Sequence, residues 1–408
     1  MAPDPDQKLV VGAQMKDVTG TRTRWFSDPG PRDAAMAAAH QALASCKLDM
    51  DRIPTPSDIH LPLPASEYEK LADGSGHMAE WWRTVGVSRF VQARGLADLE
   101  ARLEPFVVIG HYCVGFMFHS VVSSKLFDAM AGLTAALFMV DDLCFDEDLP
   151  EFRPGEVHRG DIAKARAFIR AWCQAVRADS ADPPPGGSDV ARLQAWAWGS
   201  ARELKSLSTP DCFDAVMDTM DAYAEACLAM REDVDACTRD VEAYARVRGY
   251  NGACIPLCVM TETAVQEFLP EHVRAHPAVQ KLAWAACFHV CFLNDIFSYD
   301  KDVAGADPGF AVFNLLAVLM RAEGMEPLQA LRRSVEMVNA YSCAFLQAEK
   351  ELPAEWDSPA VDSAVRRHVL ALKELVCGHF YFATRCLPHR FRWPDFSPSD
   401  SPAHNAAV

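Results

Sequence analysis

The sequence predicts an all-α protein, and three observations carry that prediction. Stretches rich in Ala, Leu, Met and Phe repeat their apolar positions at the 3.6-residue spacing of a helix, as in residues 190–207, 215–231, 278–297 and 358–382. Alternating apolar and polar segments bounded by turn residues, the mark of strands, are very few. Many of the helical stretches are apolar on most of their surface, as befits central helices of a bundle that are surrounded by others.

The chain has 408 residues, half of them hydrophobic, enough for one large core. Residues 1–65 read as an N-terminal extension that wraps this core, because residues 53–64 carry prolines too closely spaced for a continuous helix. Residues 66–393 form the helical domain, with a Pro- and Gly-rich loop at 179–188, and residues 394–408 have the composition of a disordered tail. No internal repeat shows at solenoid periods.

The net charge of −17 argues against a nucleic-acid partner, since phosphate backbones are held by clustered Lys and Arg. An anionic substrate has to be met locally, by a metal or a few arginines. The fourteen cysteines contain no CxxC pair, and residues 1–20 hold no apolar leader, so the thiols read as reduced and the protein as cytoplasmic. The longest apolar runs, 130–140 and 282–293, are about half of a bilayer span, so no integral membrane segment is expected. Monomer and homodimer are both compatible with these features.

Two acidic constellations carry the chemistry. In the first, the apolar run 130–140 ends in Asp141, Asp142, Asp146, Glu147 and Asp148. Acids are unfavourable beside the negative end of a helix dipole, so this placement argues for a cation rather than a solvated helix end. In the second, Asn294, Ser298 and Asp302 follow another apolar run at intervals of four. That spacing sets three oxygens on one helix face. Neutral and charged oxygens together suit Mg²⁺ rather than zinc. No HExxH, GxSxG or P-loop is present, and no histidine is given a catalytic role.

These residues resemble the class I terpene synthase family of the fungal and bacterial single-domain type, sesquiterpene synthases in particular. Asp141 with Asp142 and Asp146 resembles its aspartate-rich motif, and the sequence NDIFSYDKD at 294–302 resembles its Asn/Ser/Glu triad, with Asp302 in the Glu place. Asn314-Leu315 matches the usual continuation. Arg248, 46 positions before Asn294, stands where the family has an arginine that senses diphosphate, and Gly252 stands at its helix break. Glycines at 249 and 252 also weaken a helix in their own right. The C-terminal Arg-Tyr pair is matched imperfectly by Arg390-Phe391, with Arg385 as the alternative.

The resemblance implies a helical bundle with a cavity between its central helices and three Mg²⁺ ions, with Mn²⁺ as a substitute. Asp141 then binds two ions, with Asp142 and Asp146 supporting that metal site, and Asn294, Ser298 and Asp302 hold the third. Arg248, Lys301 and Arg390 bind an isoprenyl diphosphate, with Asn251 and the aromatic side chains Phe116 and Phe138 also contacting substrate. Gly252 joins Asp141, Arg248, Lys301 and Arg390 in catalysis. The expected reaction is ionisation of farnesyl diphosphate and cyclisation to a sesquiterpene or its alcohol, with release of diphosphate. Phe118, Tyr250 and Phe382 are further aromatic candidates, for which a plain core position is the competing reading. The alternatives of the same fold are prenyl elongation, which uses two aspartate-rich motifs, and head-to-head prenyl transfer, which uses DxxxD twice. A non-catalytic helical binding protein is the third.

Overall fold

A computed structural model describes residues 30–70, 100–140, 177, 189–306, 309–385 and 391–396. Every regular element among them is helical, as the periodicity predicts. In chain order these are α1 (Gly30–Ala42), α2 (Glu100–Met117), α3 (Ser124–Val140), α4 (Asp189–Ser206), α5 (Pro210–Glu232), α6 (Val234–Cys237), α7 (Val241–Asn251), α8 (Cys254–Val265), α9 (Glu271–Arg274), α10 (Pro277–Ala304), α11 (Leu315–Glu323), α12 (Pro327–Lys350) and α13 (Pro359–Arg385).

The hub is α10, which packs against α1, α7, α8, α11, α12 and α13. Its start is set by Pro277, which fits the first helical position, and by the His276 side chain, which accepts the Ala278 N–H at 3.2 Å. Every residue from Ala278 to Leu293 is buried except Lys281, so this helix has no solvent face through its first four turns. The helix has the length and hydropathy of a membrane span, yet 94% of the relevant window lies inside the bundle. Phe288 and Phe292 on α10 meet Tyr341 on α12 at ring-centroid distances of 5.0 and 5.5 Å. Such edge and offset contacts add to the area they bury.

Residues 30–63 contribute to the same core. Ala35 and Ala39 of α1 are buried against α10 and α12, and α12 then holds the following strap through side-chain amides and hydroxyls. Asn339 Nδ2 donates to Asp58 O at 2.8 Å, His60 N donates to Asn339 Oδ1 at 2.7 Å, and Ser342 Oγ donates to His60 O at 2.6 Å. At the other end, the tail expected to be disordered from Pro394 stays packed through Phe396, whose ring lies 5.3 Å from that of Tyr299. Its Pro, Ser and Asp content hides this aromatic anchor, and just before the tail Trp393 donates to Pro54 O at 3.1 Å and meets Phe297 edge-on.

Glu262 on α8 and Arg274 on α9 form a buried pair, with bonds of 2.7 and 2.8 Å, completed by Leu269 N–H on the carboxylate and Leu269 O on the guanidinium. Arg274→Ala leaves the carboxylate buried and unpaired, and unfolding in urea should show a loss of about 3–5 kcal/mol. Replacing both partners by Gln and Met should cost markedly less. Equal losses in the single and double variants would mean that packing, not the unpaired charge, sets the cost.

Candidate active site

Because α10 runs unbroken to Ala304, Asn294, Ser298 and Asp302 occupy successive turns of one face. Ser298 Oγ donates to Asp302 Oδ2 at 2.6 Å, and Asn314 Nδ2 donates to the same oxygen at 2.9 Å. Lys301 Nζ lies 3.4 Å from the other oxygen, Oδ1. The Ser298 hydroxyl and the Asp302 carboxylate thus meet at the helix end, on the same face as the Asn294 amide, and oxygen donors of these kinds fit Mg²⁺. Among the described residues no group of three or more His, Cys, Asp and Glu is placed to hold a metal, so nothing there competes with this mixed oxygen set.

Asn314 is the less obvious partner. Fully buried, it also donates to Asp295 O at 2.8 Å, while its Oδ1 accepts the Leu316 N–H at 2.9 Å and so caps α11. One amide therefore starts a helix and steadies a carboxylate of the triad.

Arg248, in the last turn of α7, reaches across to the triad helix. Its Nε donates to Asp295 Oδ1 at 2.9 Å, and its two terminal nitrogens donate to Asn251 Oδ1 at 3.1 Å and Asn294 Oδ1 at 3.0 Å. Tyr244, one turn earlier on α7, donates its hydroxyl to Asp295 Oδ2 at 2.5 Å. Burial pushes the Asp295 carboxyl up to about 6, a shift that Arg248 and the Tyr244 hydrogen bond oppose. Asp295 and Tyr244 are the site residues that sequence reasoning missed. Asp295 stands next to Asn294 in the motif but about 100° further round the helix, facing α7 instead of the triad face.

Between α7 and α8 the helix breaks at Gly252 and Ala253. Backbone conformation alone does not require a glycine at this break. Gly252 has φ −71°, accessible to any residue, and it is Ala253 that takes the left-handed conformation, φ 52°. A Cβ at position 252 would instead collide with Cys291 Sγ on α10. At Gly249 a Cβ would come within 3.0 Å of Phe288 and Trp284, and the Gly249 carbonyl accepts from Cys287 Sγ at 3.1 Å. Both glycines let α7 lie close against α10. Asn251 is buried, accepting from Arg248 and donating to Cys227 Sγ at 3.3 Å.

Asp141, Asp142, Asp146 and Arg390 lie outside the described residues. Phe138, in the last turn of α3, is half-buried against the main core. Phe116 is half-buried beside Tyr68 and Tyr381, and its carbonyl accepts the Tyr68 hydroxyl at 2.8 Å. Phe118 and Phe382 are buried core residues, and Tyr250 stands edge-on to Trp284. Arg385 is 55% exposed, stacked 4.3 Å over Tyr381 and 3.8 Å from Glu69, partners that belong to the α13 face meeting residues 61–70. Arg392 instead ties the C-terminal segment to the triad helix, with its backbone N–H on Phe297 O at 2.8 Å and its Nε on Asp300 at 2.5 Å.

The largely covered Arg248 side chain, 12% exposed, depends on Asp295 more than on any other acceptor. Asp295→Ala should lower unfolding stability by about 3 kcal/mol or more, because a buried guanidinium loses its counter-charge. Tyr244→Phe removes one hydrogen bond and should cost about 1 kcal/mol. A smaller loss for Asp295→Ala than for Tyr244→Phe would mean that solvent reaches Arg248 and that it needs no fixed partner.

Residues 133–342 match the profile of terpene synthase family 2, C-terminal metal binding. Among curated relatives, sesquiterpene synthase Agr3 of Cyclocybe aegerita is 31% identical over 193 residues, 45% of this chain and 52% of that protein. Alpha-muurolene synthase of Coprinopsis cinerea is 28% identical over 192 residues, 45% of this chain and 44% of that protein. The matches thus span about half the length of these relatives. The structure of 2-methylisoborneol synthase from Streptomyces coelicolor, solved with Mg²⁺ and 2-fluoroneryl diphosphate, superposes with a TM-score of 0.61 at 18% identity, over 85% of this chain and 100% of that one. Wild-type cucumene synthase does so with a TM-score of 0.56 at 20% identity, over 76% and 94%. The two solved structures share the helical bundle, and the profile covers more than half of the chain, from within α3 to α12, so this chain belongs to terpene synthase family 2.

Proposed function

We propose that this protein is a Mg²⁺-dependent class I terpene cyclase that ionises farnesyl diphosphate and cyclises the carbocation to a sesquiterpene or sesquiterpene alcohol, releasing diphosphate. The observation that carries this reading is the setting of Arg248, one guanidinium bonded at once to the helix break through Asn251 and to the triad helix through Asn294 and Asp295. The named activities of the curated relatives support the C15 substrate.

In this reading Asp141 would hold two ions, with Asp142 and Asp146 supporting that metal site, and Asn294, Ser298 and Asp302 would hold the third. When bound, the ions stabilise negative charge on the departing diphosphate. Arg248, Lys301 and Arg390 bind its oxygens by charge-assisted hydrogen bonds. Fixed donors of this kind need little reorganisation as charge develops. Phe116 and Phe138 offer aromatic faces to a carbocation. The buried imidazoles of His289 and His379 are pushed down by desolvation to about 4 and about 3, so neither adds a positive charge to the core. The exposure of Arg385 and its partners Tyr381 and Glu69 favour Arg390 for the diphosphate contact.

With farnesyl diphosphate and Mg²⁺, gas chromatography should detect a cyclic C15 product, and removal of divalent ions should abolish it. Asn294→Ala should cut kcat by about 100-fold or more, the scale of losing one fixed electrostatic contact in a closed site. Full turnover in chelator would end the metal-dependent reading, and exclusive use of geranyl or geranylgeranyl diphosphate would end the C15 assignment.

Asp302 and the C-terminal arginines separate the finer roles. Asp302→Ala should raise the Mg²⁺ concentration needed for half-maximal rate by about 10-fold or more, whereas Asp302→Glu should stay within about 10-fold of the parent rate. An unchanged Mg²⁺ dependence in the alanine variant would remove Asp302 from the ligands. Arg390→Ala should lower activity far more than Arg385→Ala, and the reverse ranking would move the diphosphate contact to Arg385.

A further inference from the structure

The cysteines of α10 stand exactly where α7 comes closest to it, and the proposed mechanism uses neither of them. Cys291 is 1% exposed, three residues before Asn294 and one turn before Asp295. Its Sγ occupies the space into which a side chain at position 252 would project, and the next nearest atoms to such a Cβ are Arg248 O at 3.2 Å and an Arg248 guanidinium nitrogen at 3.6 Å. One turn earlier on α10, Cys287 Sγ lies 3.9 Å from Cys291 Sγ and donates to Gly249 O. Two thiols on consecutive turns of α10 thus meet Gly249 in the last turn of α7 and Gly252 just beyond it. The thiol has a single torsion, and on a helix only two of its three staggered positions are readily adopted. At full burial it has little freedom to swing aside.

We propose that Cys291 is a specificity-determining positioning residue, whose thiol sets how closely the α7–α8 break approaches the triad helix and so where the backbone of the break sits relative to the reacting carbocation. The inference rests on the cyclase reading. Ala253 holds a left-handed conformation that costs a non-glycine residue about 1 kcal/mol. Shortening the thiol to a methyl group opens a gap into which this strained break relaxes. Arg248 remains anchored by Asp295 and Asn294, so binding persists while the position of the break shifts.

The test compares the parent with Cys291→Ala, Cys291→Ser, Gly252→Ala and the double variant Gly252→Ala/Cys291→Ala, reading the thermal midpoint, kcat, KM and product ratio with farnesyl diphosphate. Gly252→Ala should lower the midpoint by about 5 °C and kcat by about 10-fold or more. Cys291→Ala should keep KM within about 3-fold while changing the ratio of major to minor products by about 2-fold or more. Cys291→Ser, close in size, should keep the parent ratio. The double variant should regain at least about half of the midpoint lost by Gly252→Ala and about 3-fold or more of its turnover, because the colliding atom is gone. The proposal is overturned if the double variant is no better than Gly252→Ala, or if Cys291→Ala makes the parent product ratio. A parent inactive on C10, C15 and C20 diphosphates overturns the cyclase reading and this proposal with it, whereas an active parent with no rescue overturns this proposal alone.

Discussion

The guanidinium of Arg248, largely covered against α10 with its side chain 12% exposed, constrains everything around it. Arginine stays protonated in any protein environment, so its burial demands fixed acceptors. Asp295 supplies the counter-charge, but it is itself fully buried and needs the Tyr244 hydroxyl and the Arg248 nitrogens to remain ionised. The two residues that reach Asp295 sit one turn apart on α7, which therefore has to end within side-chain reach of α10. Gly249 and Gly252 permit that approach, and the break into α8 follows where the packed turn stops.

The helix that receives Arg248 serves two opposed requirements. Its first four turns are almost wholly encased, which requires an apolar surface all round, while its last turns present polar oxygens on one face. Placing the oxygens at the end lets the core close around the rest without desolvating unpaired donors. The strap at residues 50–60 is tied to α12 by its backbone carbonyls, which accept from Arg332 and Asn339, while the segment at 391–396 donates from Trp393 to the strap and from the Arg392 N–H to Phe297 O of α10. Segments distant in sequence thus hold α10 and its neighbour α12.

What could be read in the sequence was periodicity. The helix expected over 278–297 is Pro277–Ala304, and that expected over 358–382 is Pro359–Arg385. The four-residue spacing of Asn294, Ser298 and Asp302 announced a shared face, because spacing within one helix is local information. Contacts between helices were not legible in this way. Asp295 meets residues 47 and 51 positions away, and Asn314 meets Asp302 across a loop, so no window of sequence contains either relation. Composition hid Phe396 in the tail, among prolines and polar residues. Nor does any local pattern show that a side chain at position 252 would meet the sulfur of Cys291, 39 residues further along the chain.

The double duty of Asn314 reaches beyond the site. Its side chain begins α11 with one atom and steadies Asp302 with another, so the folding of a short helix and the readiness of a carboxylate share a single amide. Thermodynamic coupling is reciprocal: whatever strengthens Asp302 in its bonded geometry also strengthens the first turn of α11. Leu315, Leu316 and Leu319 bury that helix against its neighbours. Mutational drift among these leucines therefore reaches Asp302 through one side chain, and under the proposed function a lineage retunes its ion affinity this way without altering a ligand.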